Sequence, residues 1–377
     1  MKPLIASLSI LLLFAILLDA FETIVLPRRV TRRFRFARFF YRIIWIPTAS
    51  WARRISSSRR RESFLGFFGP LSLIMLLSVW ANGLIFGFGV LYWAIESPLD
   101  ASAAPHAFGT YIYLSGTTFF TLGYGDVTPT APAGRVIAVF EAGIGFGFLA
   151  LVIGYLPVIY QAFSRREASI SLLDARAGSP PSAAELLRRH GHNIQELEQL
   201  LRDWERWAAD LLESHLSYPV LCYYRSQHNN QSWLSALTAV LDASALVMVG
   251  IDGASKRQAQ LTFAMARHAV VDLAQIFIAA PRELTLDRLP ADELDHLRAA
   301  LRAAGVRLAT GANAEQLLSE LRAMYEPFVS TLADFLFIEL PPWVPTAETY
   351  DNWQTSRWGR ISRLAQQEQP SEQEEHF

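Results

Sequence analysis

Three stretches of the chain are apolar almost without interruption: Pro3 to Val25, Pro70 to Ile95 and Val136 to Tyr160. Each supplies about the 20 apolar residues that a helix needs to cross the hydrocarbon core of a bilayer. Between the second and third lies Phe108 to Phe120, rich in aromatic and hydroxyl residues and short enough for a half-membrane helix. Beyond residue 163 the pattern changes to helical spacing with polar faces. Asn193 to Ser217 is the clearest case, with Ile194, Leu197, Leu200, Leu201, Trp204 and Trp207 on one stripe. Ser182 followed by Glu185 reads as a capping box for a helix over Ala183 to Arg189. Further helices are expected over Gln231 to Val249, Ser255 to Ile278, Ala291 to Ala304 and Asn313 to Phe335, with Pro327 kinking or splitting the last. Ala236 to Ile251 is apolar enough to suggest a fourth crossing, but it is short and carries Asp242 at its middle, which favours a buried core helix.

The fold class is therefore an all-α membrane protein with a helical soluble region. The expected divisions are a first membrane helix at 1–26, an arginine-rich segment at 27–63 and a membrane module at 64–163. A linker follows at 164–181, marked by Gly178, Pro180 and Pro181, then a helical cytoplasmic domain at 182–365. The acidic, glutamine-rich tail at 366–377 is expected to be disordered. Composition agrees: 51% of residues are hydrophobic and only 18% charged, with the apolar runs concentrated before residue 164.

Charge sets the orientation. Twelve arginines and a single acidic residue, Glu62, lie between Leu26 and Ser63. By the positive-inside rule that segment is cytoplasmic, which puts the N-terminus and the loop after the second span outside. The first span also has a signal-peptide reading, opposed by its length and by the lack of a clean cleavage site. Arg29, Arg32, Arg35 and Arg38 recur every third residue, as in a voltage-sensing helix. However, a mid-bilayer arginine costs about 2.5–3.5 kcal/mol, and only one helix precedes these. A basic, aromatic helix in the headgroup layer, with anionic lipid headgroups as partners of Arg28 to Arg61, is the reading adopted.

The loop expected outside holds Thr121-Leu122-Gly123-Tyr124-Gly125-Asp126. Consecutive carbonyls can face one axis only if the backbone alternates between right- and left-handed regions, which glycine enters at little cost. Gly123 and Gly125 have the spacing this requires. Thr121 can add a hydroxyl at the inner end, Tyr124 can brace the loop against a surrounding wall, and Asp126 places a carboxylate at the mouth.

With Val127-Thr128-Pro129 and Gly134-Arg135 following, the segment resembles the pore module of the potassium-channel superfamily: outer helix, pore helix, selectivity filter, inner helix. The resemblance covers about residues 64–163. It implies a homotetramer in which carbonyl rings from Thr121 to Tyr124 bind dehydrated K+. Leu122 stands where the family often has valine, and Tyr113, Leu114 and Thr117 occupy the pore-helix places of its tryptophan pair and buried glutamate. A clamp on Asp126 is then weaker or built from Tyr113. Gly143, Gly145, Gly147 and Gly154, with Pro157, are candidate gating hinges; the same glycines suit close helix packing. Glu141 is expected in the wall behind the filter.

No catalytic residues, cofactor or metal other than permeant K+ are expected. Gly250-Ile251-Asp252-Gly253 lacks the context of a nucleotide-binding loop, His190 and His192 lack metal-ligand spacing, and lone Cys222 allows no internal disulfide. Tyr223 to Gln231 reads as a capped loop between helices. Arginine exceeds lysine by 32 to 2, suggesting a GC-rich bacterial genome and a plasma-membrane location; the arginines follow the membrane topology, so nucleic acid is not a partner. Two other readings stay open: a weakly selective cation pore, and a membrane-anchored signalling protein that uses the module for assembly.

Overall fold

The computed structural model describes residues 1–26, 35–101, 107–190, 193–228, 230–277 and 287–345. The expected tail, Arg28 to Arg33 and His192 lie outside them. The chain divides into two units, Met1–Ala162 with Val220–Tyr224, and Phe163–Pro219 with Arg225–Phe377.

The first unit is helical. α1 spans Lys2–Ile24, α2 Phe36–Ala52, α3 Ser58–Gly66 and α4 Phe68–Ala94. α5, Phe108–Phe119, is the short helix, and α6, Pro132–Ala177, is the expected inner helix. α1 and α4 run antiparallel. The Ser9 hydroxyl donates to the Gly87 carbonyl at 2.5 Å, Trp80 Nε1–H donates to Asp19 at 3.1 Å, and Lys2 pairs with Glu96. The N-terminus thus lies at the same end of the unit as the loop after α4. Asp19 also accepts the backbone N–H of Ala37 at 3.1 Å, so a carboxylate from α1 caps the start of α2. The amphipathic α2 buries Ala37, Phe40, Trp45 and Ala49 and exposes Phe39, Ile43, Ile46 and Trp51.

Two features of this unit were not expected. Leu99–Ala101 (β1) and Val127–Pro129 (β2) form an antiparallel pair that ties the end of α4 to the chain just after the filter motif. The 3-10 turn at Pro219–Tyr223 belongs in part to this unit: Tyr223, expected in an ordinary capped loop, stacks on Tyr41 and lies 4.9 Å from the Trp45 ring.

α6 differs from expectation at its far end. It continues without a break to Ala177, so residues 164–177 are helix and the break shrinks to Gly178–Ser182. Glycine and proline do not interrupt the helix until Gly178, where φ turns to +84°.

The second unit holds α7 (Ala183–His190), α8 (Ile194–Ser217), α9 (Trp233–Gly250), α10 (Lys256–Phe277), α11 (Ala291–Ala303), α12 (Ala312–Ala323) and α13 (Glu326–Leu336). The Ser182 hydroxyl accepts the Glu185 N–H at 3.2 Å, as the capping pattern requires. Pro327 splits the last expected helix into α12 and α13. α9 has the length and composition to cross a membrane, yet it is the hub of this unit, buried from Trp233 to Val247 and packed on α8, α10, α12 and α13.

Asp242 is fully buried in α9 and paired. Arg288 donates to it at 2.8 Å and the Tyr325 hydroxyl also donates to it. Arg288 further meets Glu326 at 3.3 Å, Arg322 meets Glu326 at 3.1 Å, and the Trp343 ring lies 5.7 Å from both guanidiniums. Burial pushes the Glu326 carboxyl up, against the pull of Arg322 and Arg288. A second buried cluster sets His215 between the Arg166 guanidinium at 3.1 Å and the Leu211 carbonyl at 2.8 Å. Arginine can only donate, so Nε2 accepts and Nδ1–H faces Leu211: the ring is neutral. Burial, reinforced by Arg166, holds the His215 imidazole well below the usual histidine range.

Candidate functional site

The expected filter lies between α5 and β2. Thr121, Gly123 and Gly125 have φ of +57°, +56° and +76°, and Leu122 and Tyr124 between them do not share that region. The backbone therefore alternates hand residue by residue, as the glycine spacing requires. Thr121 extends the alternation to a β-branched residue, for which positive φ is strained; the sequence gives no sign of this. The inner end is fixed to α5: Leu122 N–H donates to the Thr117 carbonyl at 2.8 Å and Thr121 N–H to that of Thr118 at 3.0 Å. Among the described residues, no backbone N–H donates to the carbonyls of Thr121 to Gly125. These oxygens are free for another partner.

The outer end is fixed by side chains. Tyr113 Oη–H donates to Asp126 Oδ2 at 2.8 Å, so α5 and Asp126 are clamped together. Arg135 Nε–H donates to the Pro129 carbonyl at 3.2 Å, and Thr130 N–H to that of Pro98 at 3.0 Å. The Gly134 backbone lies tight against Ser97 and Pro129, which accounts for a glycine beside Arg135. Tyr124, expected to brace the loop, is 69% exposed and finds no wall within its own chain. Leu122 is likewise 53% exposed.

The wall behind the motif is packed. Leu84, Phe88, Tyr92, Tyr111, Leu114, Phe119 and Val127 form one apolar core. Glu141 is fully buried within it, accepting from the Tyr92 hydroxyl at 2.9 Å and touching the Ser115 hydroxyl. That hydroxyl is also 2.8 Å from the Ile85 carbonyl. Leu114 and Thr117 make no link to Asp126; Thr117 instead donates back to its own helix.

The glycines of α6 separate by role. A Cβ on Gly145 would run into the Phe119 carbonyl oxygen, so this glycine allows α6 to touch the end of α5. A Cβ on Gly143, Gly147 or Gly154 would meet nothing within 4 Å among the described residues, so the spacing of Gly143 and Gly147 serves no packing among them. Pro157 lies inside the continuous helix. Much of the rest of α6 is uncovered, with Val136, Val139, Phe140, Phe146 and Ile153 each more than 60% exposed.

Among the described residues, no group of histidine, cysteine and acidic side chains could hold a metal ion. His190 is buried against the Leu186 carbonyl, and Cys222, the single cysteine, is buried.

A family model described as an ion channel matches residues 74–161, from the second turn of α4 to beyond the middle of α6. The chain is 23% identical over 203 residues to the uncharacterized membrane protein YdjJ of Bacillus subtilis, covering 53% of this chain and 58% of that one. It is 28% identical over 116 residues to Protein LctB of Geobacillus stearothermophilus, covering 28% of this chain and 80% of the other. It is 30% identical over 123 residues to Two pore potassium channel c of Oryza sativa, covering 32% of this chain and 24% of that protein. No solved structure matches the chain. These similarities support an ion-channel pore module of the potassium-channel type within an all-α membrane protein.

Proposed function

We propose that the chain is a potassium-selective channel that conducts passively as a homotetramer. The observation that carries this reading is the alternation of backbone hand at Thr121, Gly123 and Gly125, with unpartnered carbonyls from Thr121 to Gly125. Four such segments around one axis would stack oxygen rings that replace the hydration shell of K+, with repulsion between neighbouring ions keeping each loosely held. The exposed Leu122 and Tyr124 and the bare face of α6 support the association of several chains. Tyr124 then braces against a neighbouring subunit, and Asp126, clamped by Tyr113, lines the outer mouth.

The membrane is a bacterial plasma membrane, with the N-terminus and filter outside and the second unit in the cytoplasm. Anionic lipid headgroups bind the arginines of the Arg28 to Arg61 segment, while α2 lays its exposed aromatic and aliphatic side chains in the interface. Flexing of α6 about Gly143, Gly147 and Gly154, with Pro157, opens and closes the inner mouth; Gly145 is committed to packing. The reaction needs no cofactor and no catalytic group.

The test is flux through purified protein in liposomes under a potassium gradient and then a sodium gradient. Potassium flux should exceed sodium flux and vanish in Gly123→Ala, whose Cβ opposes the left-handed backbone. Equal fluxes of the two ions would instead favour the weakly selective pore.

A further inference from the structure

The wall behind the filter holds a carboxyl that the conduction scheme does not use. Glu141 projects from α6 into the core and is fully buried within its own chain, so no neighbouring subunit can reach its side chain. It meets two hydroxyls, Tyr92 Oη of α4 at 2.9 Å and Ser115 Oγ of α5. Among the described residues, no arginine, lysine or histidine forms an ion pair or hydrogen bond with it.

Three hydrogen bonds join this cluster: Tyr92 to Glu141, Glu141 to Ser115, and Ser115 to the Ile85 carbonyl at 2.8 Å. The Ile85 carbonyl can only accept. If Glu141 were a carboxylate it could only accept as well. The two hydroxyl protons would then have to serve three bonds, and Ser115, with one proton, would leave either Glu141 or Ile85 unserved. A proton on Glu141 Oε1 closes the count. Tyr92 donates to Oε2, Oε1–H donates to Ser115 Oγ, and the Ser115 hydroxyl donates to Ile85. Every bond has one donor and one acceptor, and no unpaired charge is buried in the core.

We infer that Glu141 is an un-ionised carboxylic acid that relays hydrogen bonds from Tyr92 through Ser115 to the Ile85 carbonyl, and so acts as a positioning residue that fixes α5 behind the filter. Its influence on ion discrimination rests on the channel reading; its protonation does not. The relay joins all three helices of the module: α4 through Tyr92 and Ile85, α5 through Ser115, α6 through Glu141. The acid is supplied by the inner helix, while the pore-helix places compared above hold Tyr113, Leu114 and Thr117.

Infrared difference spectroscopy of the full-length protein in liposomes at neutral pH, wild type against Glu141→Gln, reads the proton directly. A protonated-carboxyl C=O band should be present in the wild type and missing from the variant. An absent band overturns the proposal whatever the flux assays show, and a present band upholds the protonated acid even if no ion is conducted. Glutamine reproduces the pattern, with its carbonyl accepting from Tyr92 and its amide donating to Ser115. Glu141→Gln should therefore keep the potassium-over-sodium flux ratio, while Glu141→Ala should lower it about tenfold, equivalent to ~1.4 kcal/mol. If Glu141→Gln is impaired as much as Glu141→Ala, the positioning role is overturned. Should Glu141→Ala fail to fold, Ser115→Ala cuts the same relay and takes its place, with the same lowered ratio expected.

Discussion

Thr121 and Gly145 show what single residues contribute. The glycine spacing made the alternating backbone legible, because only that spacing admits left-handed residues at every second position without a Cβ clash. The left-handed Thr121 was not legible, since nothing in a threonine announces positive φ; surrounding contacts impose it. The glycines of the inner helix were legible only as a group. Which one packs depends on where α5 ends, and that is a tertiary fact. Gly145→Ala forces a methyl into the Phe119 carbonyl and should destabilise the protein by about 1–3 kcal/mol. Gly143→Ala, whose Cβ would meet nothing within 4 Å among the described residues, should change stability by less than about 0.5 kcal/mol. Thermal unfolding of the two variants in detergent separates them, and equal losses would count against the assigned packing.

Histidine protonation belongs to the same scale. The His215 value in the folded state lies below its ordinary value, so as pH falls through about 6.5 the unfolded chain takes up a proton that the native ring refuses. The unfolded state then binds more protons, and stability falls toward acid. Glu326 has the opposite sign: its raised folded value makes its contribution shrink as pH rises through that value. The difference between wild type and His215→Asn isolates the histidine. Lowering the pH from 7.5 to 5.5 should lower the unfolding midpoint more in wild type than in the variant, and a parallel response would refute the buried neutral ring.

At the scale of elements, length and periodicity did most of the work. Three long apolar runs became α1, α4 and α6, and Pro327 divided α12 from α13 because proline sits comfortably only in the first turn of a helix. The β1–β2 pair escaped notice because three-residue strands carry no period, and their pairing joins segments nearly thirty residues apart. The length of α6 was also missed. Its polar extension past Phe163 lacks the apolar run used to draw the span, yet it stays helical until Gly178.

The reading of α9 as a core helix rested on its short apolar run and on Asp242, but the partner that makes a buried aspartate tolerable, Arg288, lies 46 residues away and could not be read from local pattern. Removing one member of such a buried pair leaves the other uncompensated. Asp242→Ala should cost about 3–5 kcal/mol, seen as a large drop in the denaturant midpoint of the full chain. A loss below about 1 kcal/mol would mean the network is solvated rather than buried.

For the whole molecule, the proposed orientation rests on charge, and one pairing in the structure is compatible with it. By the positive-inside rule, the proposal puts the arginine-rich segment after α1 in the cytoplasm. Lys2 pairs with Glu96, so the N-terminus and the end of α4 share one side of the first unit, as that orientation requires of them. Under the proposed orientation and assembly, the bare apolar face of α6, and the carbonyls of Thr121 to Gly125 that accept no backbone N–H among the described residues, are what one member of an incomplete ring would show. The proposed tetramer would supply a wall for the exposed Tyr124, neighbours for α6 and an axis for the oxygens.

The central claim, selectivity for potassium, is met most directly by the reversal potential of the purified channel in a planar bilayer with KCl on one side and an equal concentration of NaCl on the other. The account predicts a reversal potential displaced far from zero, in the direction set by K+ flow out of the potassium side. Ion-conducting protein that reverses at zero under these conditions would contradict it, because a ring of carbonyls that replaces the hydration shell of K+ should not treat Na+ as its equal.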